Sequence, residues 1–104
     1  MVEWCAIVYD KPGSDRSTCR PEHLANIPPL VQAGKLVCAG AIYHDPEQPG
    51  GERKFAGSHL QIVAESREEA LALIHNDVFA KNGIWDLDNI ILYQFGCAVR
   101  EPKA

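Results

Sequence analysis

The chain has 104 residues, which suits one domain with a real hydrophobic core, and we expect a single domain over residues 1–104. Its 46% hydrophobic and 23% charged residues are close to the globular average, and this excludes wholesale disorder. The formal net charge of −4 lacks the basic surplus that binds nucleic acid or an anionic membrane, so we expect neither as a partner.

Two further features indicate the compartment. No apolar run approaches the ~20 residues of a membrane-spanning helix, and the N-terminus shows no signal-peptide pattern. The four cysteines, Cys5, Cys19, Cys38 and Cys97, form no C-x-x-C pair. Three lie in apolar, strand-like segments, where cysteine usually acts as a small buried side chain, and Cys19 fits this pattern least. We therefore expect a soluble, cytoplasmic protein with reduced and mostly buried thiols.

The chain opens with a β-rich segment over residues 3–9, which ends in turn-forming residues at 10–14. A helix is expected to begin at the Arg-Pro pair of residues 20–21, because proline is tolerated in a first helical turn. Apolar residues then recur at the spacing of one buried helix face: Leu24, Ile27, Leu30 and Val31. The prolines at 28–29 predict a kink or a break and restart, and Gly34 is expected to close the helix.

A second strand is predicted over residues 36–43. The following stretch, residues 44–57, contains proline, glycine and several charges, and it is expected to form an exposed, mobile loop that could act as a lid. A third strand is predicted over residues 58–65, where apolar and polar residues mix.

Ser66 and Glu69 match a capping box and therefore mark the start of a second helix. Its apolar stripe consists of Ala70, Leu71 and Ile74. After a break at Gly83, a last strand is predicted over residues 89–99, followed by a frayed tail. Phe79 and Trp85 are expected in the core.

The predicted order of elements is βαββαβ. Two β-α-β crossovers on one antiparallel sheet are typical of the ferredoxin-like motif, so the predicted fold class is α+β with both helices on one sheet face. The other face would be bare, and we expect it to carry Trp4, Ala6 and Ile62. An apolar patch of that kind is too large for a stable monomer, so a homodimer through this face is predicted.

Six fragments stand in a fixed order along nearly the whole chain: Arg20-Pro21-Glu22-His23-Leu24, Gly34-Lys35-Leu36, Ala39-Gly40-Ala41, Gly57-Ser58, the segment 77–85, and Gln94-Phe95-Gly96-Cys97-Ala98-Val99-Arg100. Together they resemble the YCII-related (YciI-like) domain family, and the last resembles the ending of fungal members. The resemblance implies a ferredoxin-like, usually dimeric subunit of the dimeric α+β barrel type, similar in shape to muconolactone isomerases. It also implies a histidine–aspartate pair in the active site, and a relative removes chloride from a chlorinated aromatic compound.

The family's histidine corresponds to His23 and its aspartate to Asp77, although Val78 stands where the family has proline. His23 lies in the first turn of the predicted helix, where little burial is expected. An unperturbed imidazole titrates near pH ~6.5, and a helix N-terminus disfavours its charged form, so His23 is a candidate general base. A surface or capping histidine is the alternative.

Two carboxylates could orient this histidine. Asp10 follows the first strand and lies at the same end of the sheet as the start of the His23 helix. Asp77 matches the family residue but follows the second helix, which the fold places toward the opposite end, so the choice stays open. Arg16 and Arg20 could bind a carboxylate or phenolate. Ser58 could donate a hydrogen bond to a substrate; turn, surface or purely local roles remain open for each of these residues.

No cofactor or metal is expected. His44, His59 and His75 lack metal-ligand spacing, and the Gly50-Gly51 pair precedes no helix that would bind phosphate. The sequence therefore predicts an enzyme for proton-transfer chemistry on a small organic acid or aromatic: isomerisation, elimination or dehydrohalogenation. The alternatives are a non-catalytic small-molecule-binding or accessory domain and a purely structural dimerising domain, which fold analogy cannot separate.

Overall fold

The computed structural model describes residues 2–44 and 54–102. One antiparallel sheet contains four strands: β1 (Glu3–Tyr9), β2 (Leu36–Tyr43), β3 (Phe55–Val63) and β4 (Ile91–Phe95). Their order across the sheet is β2-β3-β1-β4, and every neighbouring pair is antiparallel. This is the ferredoxin-like arrangement, so the predicted α+β fold class is confirmed.

Each of the two predicted helices is split in two. The helices are α1 (Arg20–Ala25), α2 (Ile27–Gln32), α3 (Arg67–His75) and α4 (Val78–Lys81). The predicted break falls at Asn26, which ends α1 and begins α2. The prolines at 28–29 occupy the first turn of α2, where their missing N–H groups would have no helical partner. Gly34 and Gly83 end the two helical segments with φ of +73° and +70°, a conformation that glycine adopts without strain.

The helix start predicted at Ser66 is confirmed, with the reciprocal bond of Glu69 going to Glu65 and not to Ser66. The Ser66 hydroxyl accepts a hydrogen bond from the Glu69 N–H at 3.1 Å, and the Glu69 carboxylate accepts one from the Glu65 N–H at 3.0 Å. Ala70 and Ile74, two of the three residues of the predicted apolar stripe, are fully buried against the sheet. These contacts fix α3 on the face of β1 and β3.

The expectation about the bare sheet face was wrong. Trp4, Ala6 and Ile62 are buried under the helices. Strand alternation assigns residues to two faces, but it does not say which face the helices will cover. The face opposite the helices carries the alternate residues of the strands, among them Cys5, Ile7, Tyr9, His59, Gln61, Ile91 and Tyr93.

The exposure of the first helical region and of the cysteines also differs from the prediction. Leu24 and Val31 are 44% and 53% exposed, because the break between α1 and α2 prevents one continuous apolar face. Cys38 is the exposed cysteine, because it lies opposite Gln61 in the edge strand β2, on the sheet face that the helices do not cover. All four thiols are free, with Cys5 buried and the other two half-buried.

The strand boundaries next to the predicted loop differ from those predicted from the sequence. Most of that loop, residues 45–53, lies outside the described residues, whereas β3 begins at Phe55 and includes Gly57. Gly57 lies so close to β1 that a Cβ atom would stand 2.5 Å from the Val8 carbonyl oxygen. The last strand is shorter than predicted and ends at Phe95. In the described part of the chain, no helix is long and apolar enough to cross a membrane.

Candidate active site

His23 and Asp77 meet where α1 packs against α4. The Nδ1 atom of His23 lies 2.8 Å from one carboxylate oxygen of Asp77 and 2.9 Å from the other. Asp77 is also the N-cap of α4, where its Oδ1 accepts a hydrogen bond from the Phe79 N–H at 2.9 Å. Of the two candidate partners of His23, the structure therefore brings Asp77 into contact.

Asp77 can contact His23 because of the path of the chain after α3. That helix ends at His75, and α4 begins only three residues later, so Asp77 belongs to a new helix that lies against α1. Val78, which replaces the family's proline, is buried in the first turn of α4. The turn forms without proline because the Asp77 side chain caps it.

His23 is buried, contrary to the expectation for a first-turn residue. Only 8% of it is exposed, because its imidazole stacks on the ring of Phe79 with centroids 4.0 Å apart and planes 14° apart. Trp85 makes a T-shaped contact with the imidazole, with the ring centroids 6.0 Å apart. Both aromatic residues are fully buried, as predicted for core residues. The histidine ring is thus held on one side by the core and at Nδ1 by a carboxylate.

This geometry determines the tautomer of a neutral His23 next to an ionised Asp77. A carboxylate can only accept hydrogen bonds, so the ring proton must be on Nδ1 and the free electron pair on Nε2. No described residue makes a hydrogen bond to Nε2. Nε2 can therefore accept a proton from another molecule, and Asp77 would stabilise the resulting imidazolium.

Asp10 forms an ion pair with a different residue, Arg16. The guanidinium of Arg16 donates to both Asp10 oxygens, with Nε–Oδ2 at 2.9 Å and Nη2–Oδ1 at 2.6 Å. Its Nη2 also donates to the Ser58 hydroxyl at 3.2 Å, and the indole N–H of Trp85 donates to the same oxygen at 3.3 Å. Arg16 and Ser58 are 5% and 2% exposed. This network lies inside the protein.

A stack of four side chains connects the two charged pairs. The Cζ atom of Arg16 lies 5.0 Å from the ring centroid of Phe55 and 4.7 Å from that of Phe79. The imidazole of His23 stacks on Phe79 with the two centroids 4.0 Å apart. One face of the Phe79 ring cannot hold both groups, so this ring lies between Arg16 and His23. We refer to Phe55, Arg16, Phe79 and His23 as the cation–aromatic stack. Arg20 also contacts Phe55, with its Cζ atom 5.3 Å from the ring centroid.

Sequence reasoning missed two members of this stack. Phe55 was assigned to an exposed loop, and Phe79 was expected in the core without a role beside His23. An aromatic residue just before the Ala56-Gly57 pair was the available signal for an earlier start of β3. The contact between Phe79 and His23 depends on the packing of α4 against α1 and has no sequence signal of its own.

A cavity of about 350 Å³ opens on the other side of Asp77, between the α1–α2 break and α3. Its walls combine apolar and polar side chains: Asn26, Pro29, Leu30, Lys35, Ile62, Val63, Ala64, Glu69, Ala72, Leu73, Asn76 and Asp77. His23 does not line it. Among residues 2–44 and 54–102, no group of three or more His, Cys, Asp or Glu residues is arranged to hold a metal ion.

The family model of the YCII-related domain matches residues 2–93 of this chain. Fungal relatives include fusaric acid biosynthesis protein 2 of Gibberella fujikuroi, which is 28% identical over 97 residues and covers 91% of this chain and 93% of the relative. Another is the derivative of benzaldehyde biosynthesis cluster protein C of Emericella nidulans, 39% identical over 69 residues, or 65% of this chain and 70% of the relative. Aspartate kinase FUB3 of Fusarium oxysporum is 31% identical over 94% of this chain, but the chain spans only 18% of that protein.

A solved structure shares the fold. It is 5-chloro-2-hydroxyhydroquinone dehydrochlorinase (TftG) from Burkholderia phenoliruptrix, in complex with 2,5-dihydroxybenzoquinone. The two chains superpose with a TM-score of 0.74 at 27% sequence identity, over 90% of this chain and 93% of the dehydrochlorinase. The neighbouring structure therefore holds a small aromatic-type ring compound.

Proposed function

Because the chain belongs to the YCII-related domain family, we propose that it is a small-molecule enzyme in which His23 is the general base and Asp77 orients it. The chemistry is proton transfer on a small organic acid or oxygenated aromatic: isomerisation, elimination or dehydrohalogenation. The observation that carries this proposal is the 2.8 Å contact between His23 Nδ1 and the Asp77 carboxylate. A positioned base of this kind accelerates a reaction by about 10²- to 10⁴-fold.

The surroundings of His23 support this role. Asp77 fixes the ring through Nδ1 and leaves Nε2 to take the proton, while Phe79 prevents the imidazole from tilting. Burial by Phe79 and Trp85 keeps water from most of the ring, so charge that forms there interacts strongly with Asp77. These contacts supply a base and its orienting group without any redox cofactor.

The similarity to the dehydrochlorinase supports elimination as the reaction type. In dehydrochlorination the base takes a proton from the substrate, the C–Cl bond breaks with its electron pair, and chloride leaves. The net loss is HCl, and neither an oxidant nor a reductant is consumed. The names of the fungal relatives, from fusaric acid and benzaldehyde-derivative biosynthesis, support an oxygenated aromatic or organic acid as the compound.

A chloride-release assay with 5-chloro-2-hydroxyhydroquinone tests the proposal. The wild-type chain should release chloride, and His23→Asn should lower kcat by about 10²-fold or more, because Asn can bond Asp77 but cannot replace Nε2. Asp86→Asn is the matched control, since the Asp86 carboxylate caps a 3-10 turn and, among the described residues, accepts hydrogen bonds from Asp88 and Asn89 and from no histidine. Chloride release that survives His23→Asn unchanged would remove His23 from the mechanism.

A non-catalytic binding domain is the second candidate, and the cavity favours it, because Asp77 lines that space and His23 does not. A cavity of about 350 Å³ is at the small end of ligand sites. Under this alternative, a ring compound would raise the melting temperature but would not be converted. His23→Asn would then leave the ligand-induced rise in melting temperature unchanged.

A further inference from the structure

In the described part of the chain, Arg16 and Arg20 contact the ring of Phe55. The charge of Arg16 is already neutralised, because it donates to both oxygens of Asp10 and its side chain is 5% exposed. A third hydrogen bond goes to Ser58, and the rings of Phe55 and Phe79 lie against the guanidinium. A ligand would have to break the Asp10 pair to engage Arg16, so Arg20 is the better placed of the two arginines to bind an anion.

Arg20, the second arginine, is exposed at the start of α1. Its Cζ atom lies 5.3 Å from the centroid of Phe55, a contact that holds the guanidinium near one position. Within the described residues it makes neither a hydrogen bond nor an ion pair. A planar guanidinium in this state can bind an ionised oxygen through two parallel hydrogen bonds.

Arg20 also faces the same way as the proposed base. Residues three apart on a helix share a face, and Arg20 and His23 are three apart on α1. Within the cation–aromatic stack, the residue that Arg20 contacts is Phe55, and the residue that His23 contacts is Phe79. A ring compound held by Arg20 would lie on the face of α1 that carries the imidazole.

We infer that Arg20 is the anion anchor of the site and restricts its substrates to ring compounds that carry an ionised oxygen, such as a carboxylate, phenolate or hydroxyquinone anion. This inference rests on the proposed function. The net charge of −4 repels anions in general, so a local guanidinium is needed to bind one. Arg20 provides that charge three residues before the base on α1.

The test is a calorimetric titration with 2,5-dihydroxybenzoquinone, whose hydroxyl groups are conjugated to carbonyls and ionise at neutral pH. Arg20→Gln should raise its Kd about tenfold or more, the usual worth of a charge-assisted, two-bond contact. Arg20→Lys keeps the positive charge but loses the planar pair of N–H donors, and it should give an intermediate Kd. Arg67→Gln is the matched control, because Arg67 is an exposed arginine of α3 whose hydrogen bond within residues 2–44 and 54–102 goes to the Leu92 carbonyl.

Hydroquinone is the neutral comparison ligand, and its Kd should be unaffected by Arg20→Gln. Added salt should weaken dihydroxybenzoquinone binding in the wild type and have little effect in the variant. A Kd within twofold of wild type in Arg20→Gln would overturn the inference while the proposed function stands. Failure of the wild-type chain to bind dihydroxybenzoquinone at millimolar concentration would overturn both the inference and the proposed substrate class.

Discussion

The imidazole of His23 lies nearly parallel to the ring of Phe79, with 4.0 Å between the two centroids. This contact explains why a residue in the first turn of a helix is buried. It also means that His23 is held from two directions, because Phe79 supports the plane of the ring and Asp77 supports one nitrogen. Such a histidine has one open position, the second nitrogen.

His23→Ala should lower the free energy of unfolding by about 1–3 kcal/mol, because it removes the stacking and leaves a nearly buried Asp77 carboxylate without its partner. Urea denaturation measures this loss. His75→Ala is the control, since His75 is an exposed residue in the last turn of α3, and its effect should stay within about 0.5 kcal/mol. Equal stabilities for the two variants would contradict the buried geometry of His23.

Asp77→Asn should separate orientation from folding. Asparagine caps a helix about as well as aspartate, so α4 should persist and the melting temperature should change little. Without the carboxylate, Nδ1 is no longer the favoured site of the ring proton, and kcat should fall about 10²- to 10⁴-fold. The ¹⁵N chemical shifts of the His23 ring report the tautomer directly. A ring that stays protonated on Nδ1 in the variant would contradict the orienting role.

Gly57→Ala should strain the sheet beside the site. The new methyl group would meet the Val8 carbonyl oxygen at 2.5 Å and the Tyr9 Cα at 2.9 Å, and neither backbone atom can move freely. We expect a loss of about 1–3 kcal/mol in urea unfolding. Gly40→Ala is the control on the edge strand, where nothing lies within 4 Å of the added methyl group. Similar losses in both variants would mean that the close approach at Gly57 is absent in solution.

A homodimer through the uncovered sheet face remains a prediction. Ile91 and Tyr93 on that face are each 45% exposed, and burying them against a second copy would remove apolar surface from water. Sedimentation should give a species of twice the 11.5 kDa chain mass. Tyr93→Glu should shift it to monomer, whereas Val31→Glu, at an exposed apolar residue of α2, should not. A wild-type protein that sediments only as monomer at micromolar concentration would refute the dimer.

The Glu3 carboxyl should have a pKa below the ordinary range for glutamate. Hydrogen bonding from Arg100 lowers the pKa of Glu3, so this pair supports the folded state above the unfolded pKa of the carboxyl and is lost as pH falls through the lowered value. NMR titration of the Glu3 side chain measures the shift. Arg100→Gln should return the pKa toward the ordinary range for glutamate. An ordinary pKa in the wild type would show that the pair does not form.

Local structure was predictable where local chemistry determines it. The Ser66 capping box, the prolines at 28–29 and the positive-φ glycines at 34 and 83 each define a helix end within a few residues. Strand positions followed from β-rich runs, and β1 and β2 have the predicted bounds. The order of these elements was enough for the ferredoxin-like fold.

Residue environments were less predictable because they depend on packing between distant segments. The alternation of side chains along a strand placed Trp4 and Ile62 on one face of the sheet. It could not predict that the helices cover this face. Cys38 has an apolar, strand-like sequence context, yet its strand is at the sheet edge. The choice between Asp10 and Asp77 required the position of α4, which only the folded chain provides.

The contact between Glu3 and Arg100 has a consequence for engineering. Glu3 begins the first strand, and Arg100 lies past the last strand, so the pair brings the two ends of the fold to one patch of the surface. A domain whose ends emerge side by side can be spliced into a surface turn of a host protein with a short linker at each junction. The site around His23 would stay intact in such a fusion, because none of its residues lies at either end of the fold.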